Sequence, residues 1–111
     1  MDGILLVDKE HGKTSHEVVD EVRRRFGQRR VGHAGTLDPM ATGLLVVGVG
    51  RAVRLLEFME GDKEYYGEIR LGVLTDTDDA AGEVVGEAPI PSREELERAL
   101  GAFRGEIHQR P

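Results

Sequence analysis

Gly32-His33-Ala34-Gly35-Thr36-Leu37-Asp38-Pro39-Met40-Ala41-Thr42-Gly43, followed at once by Leu44-Leu45-Val46-Val47-Gly48-Val49, is the stretch on which the reading of this chain turns. Its second part is a short unbroken apolar run, the pattern of a buried strand. Its first part has neither the helical nor the strand period and is rich in Gly, Thr and Pro, so residues 29–43 read as a loop. Glycines there let a ligand approach the main chain closely. A carboxylate on such a loop, Asp38, is a candidate nucleophile or general base. The bland alternative is that Asp38-Pro39 is a turn in which the Asp bonds its own backbone.

Upstream, Val18, Val19, Val22 and Phe26 fall on one helical face. Thr14 and Glu17 have the spacing of a capping box, and Gly27 is a stop signal. Arg23-Arg24-Arg25 and Arg29-Arg30 crowd the end of this helix, where they suit the negative pole of its dipole or, alternatively, RNA phosphate. Further upstream, Ile4-Leu5-Leu6-Val7 within Gly3 to Lys9 predicts another buried strand.

Downstream, residues 51–59 carry a short helical pattern, and Tyr65 to Val73 alternates well enough for a strand. A second strand is expected around Glu83 to Glu87. Ser92 and Glu95 form another capping-box pair, opening a helix with Leu96, Ala99, Leu100 and Phe103 inward. The order β-α-loop-β-α-β-β-α describes a mixed α/β layout.

At 111 residues the chain has length for one small domain, with 39% apolar residues, no Trp and no Cys. Without cysteine, disulfides and thiolate metal sites are excluded, which suits a reducing compartment. No segment has the length of a membrane span, and the first residues lack the basic lead-in of a signal peptide, so a cytoplasmic location is expected. The net charge of −6 argues against a nucleic-acid partner until its distribution is considered. Residues 1–56 hold nine Lys and Arg against seven Asp and Glu, and residues 57–111 hold six against fourteen. Phosphate binding depends on local charge, and the local excess lies beside the glycine-rich loop. Asp76, Asp78 and Asp79 hint at calcium, but Ala80 breaks the alternation of oxygen ligands, so the loop reads as structural and no metal is expected.

The quoted loop resembles the G-H-x-G-x-L-D-P-x-A-T-G signature of TruB-type pseudouridine synthases. Gly3-Ile4-Leu5-Leu6-Val7-Asp8-Lys9 with Gly12-Lys13-Thr14-Ser15 is similar to that family's opening strand and turn. Asp62-Lys63-Glu64-Tyr65 and the run from Leu71 to Gly82 match two further motifs in the right order. Glu10 stands where the family usually has Pro. The resemblance implies an α+β fold, a mixed and largely antiparallel sheet flanked by helices, as the N-terminal half (1–111) of a catalytic domain. The ending at Gln109-Arg110-Pro111, with no closing element, is read as a chain cut short. What would follow is the rest of that domain, with an Arg that pairs with the catalytic Asp, and a C-terminal PUA-type RNA-binding domain.

The resemblance also implies an activity: isomerisation of the T-loop uridine of transfer RNA (position 55) to pseudouridine, with no cofactor and no obligate protein partner. Asp38 carries over as the catalytic carboxylate, His33 as a contact to the T-loop, and Tyr65 as the ring that stacks on the target uracil. Lys9 and Arg30 are expected to contact phosphate or support the active-site loop, with Gly32, Gly35 and Gly43 as loop glycines. Two rivals remain. A phosphate-binding module is disfavoured because the loop lacks the Lys-Ser/Thr ending of a P-loop. A non-catalytic RNA-binding piece is the other, and the 111-residue chain alone is expected to turn over little.

Overall fold

The central strand of the molecule is the apolar run after the loop. In the computed structural model, which describes residues 1–59 and 61–110, β3 (Gly43–Val49) lies between β1 (Gly3–Lys9) and β2 (Val31–Ala34) and is antiparallel to both. Registers Leu5↔Val47 and Val31↔Val49 set alternate residues on opposite faces. One face, with Leu45, Val47 and Val49, is covered by α1 (Ser15–Phe26) through Val18, Val19 and Val22. Each such side chain, fully buried, contributes on the order of 1.5–3 kcal/mol. Leu5, Val7 and Leu37 pack against this cluster.

The caps of α1 are those expected. Thr14 is extended and its hydroxyl accepts from the Glu17 N–H at 3.0 Å, while Gly27 closes the helix at φ 58°. The other face of the sheet receives a 3-10 helix, Gly50–Phe58. Gly48 permits that contact: a Cβ there would lie 3.1 Å from the Val53 Cα, so any side chain would push the 3-10 helix away. Asp2 ties the chain start to this helix, accepting from the Arg51 N–H at 2.7 Å and its guanidinium at 3.0 Å.

Length pointed to one domain, but the contacts divide into two compact units, Met1–Glu64 and Tyr65–Pro111. The second contains β4 (Val73–Thr75) paired antiparallel with β5 (Val84–Glu87), and α2 (Arg93–Gly101) capped by Ser92. Among the described residues the architecture is mixed α+β, with antiparallel sheets and three helices, one of them the 3-10 helix.

Three expectations need correction. The segment 29–43 is not all loop, because β2 occupies Val31–Ala34. With Gly32, His33 and Ala34 in four residues it lacks a strand's apolar signature, and only the exposed edge of β3 recruits it. The strand expected from Tyr65 to Val73 is confined to Val73–Thr75, since alternation supplies a face but not a partner ladder. The apolar side of α2 is not buried: Leu96 is half-buried, while Leu100 and Phe103 are exposed.

Candidate active site

The loop after β2 is held by its backbone rather than by its carboxylate. Ser15, at the start of α1 and buried, accepts a hydrogen bond from the Leu37 N–H at 3.0 Å and donates one to the Leu37 carbonyl at 3.2 Å. The Leu37 side chain packs on the core. On the far side of Asp38, the Pro39 carbonyl accepts from the Gly12 N–H at 2.7 Å and from Lys9 Nζ at 3.2 Å. The Asp38 carbonyl accepts from the Ala41 N–H at 2.9 Å, closing a turn with Pro39 in the position that its fixed φ favours. The turn of the bland alternative is thus present, but made by the main chain. The Asp38 carboxylate is exposed and enters none of the ion pairs among the described residues.

Gly35 and Gly43 both hold positive φ, +71° and +119°, that other residues adopt only with strain, and at Gly35 Lys63 Nζ also lies 3.3 Å from where a Cβ would stand. Gly32 instead lies within β2 against Val53 and Leu56, and Gly43 begins β3. His33 pairs with Val47 across the ladder and so sits on the α1 side of the sheet. It is half-buried, and its Nδ1 is buried without a hydrogen-bond partner among the described residues.

Lys9 is 1% exposed, and its ammonium donates to the carbonyls of Glu10 (3.1 Å), Lys13 (2.6 Å) and Pro39. A phosphate could reach it only by breaking these bonds, so of its two expected roles the geometry fits support of the loop.

The arginine cluster is split in the same way. Arg23 is committed to Asp20 (3.0 Å) and to the carbonyls of Arg29 (3.0 Å) and Val31 (3.2 Å), stapling the end of α1 to β2. Arg25 pairs with Glu21 at 3.0 Å. Arg24, Arg29 and Arg30 are exposed and enter none of the ion pairs among the described residues. Tyr65 opens the second unit outside any strand, with its ring exposed.

The acidic loop is occupied by its own donors. Asp79 accepts from the Thr77 hydroxyl at 2.6 Å and the Ala81 N–H at 2.8 Å, and these hold its carboxyl below the ordinary range. Asp76 accepts from the Glu83 N–H at 2.9 Å. Among the described residues no group of three or more His, Asp or Glu could hold a metal ion, and no helix is long and apolar enough to cross a membrane. A cavity of about 340 Å³ between β1 and α1, lined in part by Leu5, Lys13, Glu21 and Phe26, does not include Asp38.

Two residues of the site carried no role in the sequence reading. Ser15 had a discernible signal: with Thr14 already capping α1, the next hydroxyl has no helical task. Lys63 falls in the quoted Asp62-Lys63-Glu64-Tyr65 motif, but its approach to Gly35 depends on tertiary structure.

Residues 23–111 match the model of the TruB family pseudouridylate synthase (N terminal domain). The chain is similar to tRNA pseudouridine synthase B of Synechococcus sp. (strain WH7803), 53% identical over 111 residues, covering 98% of this chain and 37% of that protein. It is 55% identical over 113 residues to tRNA pseudouridine synthase B of Thermobifida fusca (strain YX), covering 99% and 39%. In three dimensions it resembles a chain of a Cbf5-Nop10-Gar1 complex, with TM-score 0.63, 27% identity and coverage of 98% of this chain and 29% of that one. The chain thus spans well under half the length of these relatives.

Proposed function

The chain belongs to the TruB family of pseudouridylate synthases, and from that premise we propose that it forms the N-terminal half of the catalytic domain of a transfer-RNA pseudouridine synthase acting on the T-loop uridine. The observation that carries this reading is Asp38: an exposed carboxylate on a loop whose backbone is tied down on both sides.

The reaction exchanges one bond for another. The N1–C1′ bond of the uridine breaks, the uracil turns, and C5 joins C1′. The C5 proton is released to water and N1 ends protonated, so nothing is oxidised or reduced. Asp38 acts either as the nucleophile at the ribose or as the base that takes a ribose proton, and both roles need it ionised. The target base must leave the stack to be reached. His33 contacts the T-loop beside the vacated position, and Tyr65 offers an aromatic face for the extruded uracil. Arg30, with Arg24 and Arg29, meets backbone phosphate. Lys9 serves from beneath, as support for the loop. The enzyme works in the cytoplasm, where transfer RNA is processed.

Tritium release from transfer RNA labelled at uridine C5 tests this reading. In the enzyme at the length of its relatives, Asp38→Asn abolishes release while T-arm affinity stays within about threefold. Continued release by that variant removes Asp38 from catalysis. The 111-residue chain by itself is expected to release little tritium.

A further inference from the structure

The junction of β1 and α1 places two hydroxyls side by side, those of Thr14 and Ser15, and only one of them is used by the helix. Thr14 caps α1 through the Glu17 N–H. Ser15, one residue on, is 3% exposed, and both of its hydrogen bonds go to a residue 22 positions away in the chain. A buried hydroxyl is costly unless satisfied, and alanine would suit the first turn of the helix better. The Ser15 hydroxyl therefore serves Leu37, not α1.

We infer that Ser15 is a positioning residue for Asp38, aiming the carboxylate by clamping the peptide groups on either side of the Leu37 Cα. The N–H and the carbonyl of Leu37 are both bound by one oxygen, and the Leu37 side chain is seated in the core. A residue held at three points has no rotational freedom to pass on. Asp38 follows directly, and Pro39 behind it has a fixed φ and a carbonyl bound by Gly12 and Lys9. The direction of the Asp38 Cα–Cβ bond, and so the arc the exposed carboxylate can sweep, is then set by the main chain, and the Ser15 clamp is the tether immediately before it. This inference rests on the reading of Asp38 as the reacting group.

Two variants of the enzyme at the length of its relatives provide the test: Ser15→Ala, and Ser15→Cys, which fills the same space with a weak hydrogen-bonding group. A displacement on the order of 1 Å at a reacting group costs up to about a hundredfold in rate. Well below the unfolding temperature, both variants should lose roughly tenfold to a hundredfold in kcat, with KM for transfer RNA within about threefold. Hydrogen exchange of a peptide covering residues 36–40 should accelerate while one in β3 keeps its protection. Unchanged kcat with a lowered Tm overturns the inference, and so does failure of both variants to fold, because the hydroxyl would then hold the fold rather than aim the loop. Turnover by Asp38→Asn would sink the reading of Asp38 itself; exchange at residues 36–40 would still report whether the clamp exists.

Discussion

The Lys9 ammonium reaches across 30 residues of chain to the Pro39 carbonyl, at 3.2 Å, and so ties the end of β1 to the residue after Asp38. It does this from a position 1% exposed, with two more carbonyls, those of Glu10 and Lys13, completing its shell. Among the described residues no carboxylate pairs with this ammonium, and its bonds to carbonyl oxygens make it a structural cross-link between the turn before α1 and the loop.

Lys9→Met keeps most of the stem and removes the donors. The Pro39 carbonyl retains its Gly12 partner, but those of Glu10 and Lys13 lose a charged one. The expected loss in urea unfolding is about 1–3 kcal/mol. The salt dependence of T-arm binding should not change. A salt slope lower by about one would instead mark Lys9 as a phosphate contact.

Arg30 should behave in the opposite way. Its side chain is exposed and its carbonyl accepts from the Gly50 N–H at 2.7 Å, so the backbone is placed whatever the side chain does. Arg30→Gln should leave stability within about 0.5 kcal/mol. It should lower the slope of log affinity against log salt by roughly 0.7–0.9. Arg23→Gln should instead destabilise, because Arg23 staples α1 to β2. An unaltered slope for Arg30→Gln takes that residue out of the interface.

Gly35→Ala tests the loop conformation. At φ +71° an L-residue costs about 1–2 kcal/mol, and the new methyl group would also displace Lys63. Loss of stability should be partly relieved by adding Lys63→Ala, which removes the crowding but not the backbone strain. Full recovery in the double variant would show that φ at this position is not constrained.

The Lys13–Glu21 bridge makes a prediction about pH. At 2.7 Å, Lys13 and secondarily Arg25 hold Glu21 below the ordinary glutamate value of 4.5. A carboxylate depressed by folding stabilises the fold above its unfolded value and stops doing so as pH falls through the lower folded one. The contribution should therefore disappear below about pH 4.5, and Glu21→Gln should flatten that part of the stability profile. Lys13 is raised above 10.5, mainly by Glu21, so its share is lost only as pH climbs past that raised value. An NMR titration of Glu21 with an ordinary midpoint would refute the bridge in solution.

Local patterns made much of the fold legible. The capping pairs at Thr14 and Ser92, the stop at Gly27 and the apolar runs of β1 and β3 all signal through residues within one turn or one strand of each other. β2 was hidden, because its four residues are a strand only in the company of β3. Tyr65 to Arg70 misled for the reverse reason: alternation without a neighbouring ladder. The inward face assigned to α2 shows the same limit, since periodicity says which side is apolar but not what covers it.

By itself the sequence determined β1, α1 and β3, the N-caps at Thr14 and Ser92, the family, and Asp38 as the residue to watch. Each of those depends on short-range chemistry or on an ordered set of motifs. Tertiary structure alone decided that Lys9 is buried, that Arg23 is a staple while Arg30 is free to meet solvent, and that Ser15 grips Leu37. Those facts require residues 8 to 30 positions apart to meet, and such meetings are settled by packing and hydrogen-bond completion in the folded chain, which no local pattern encodes.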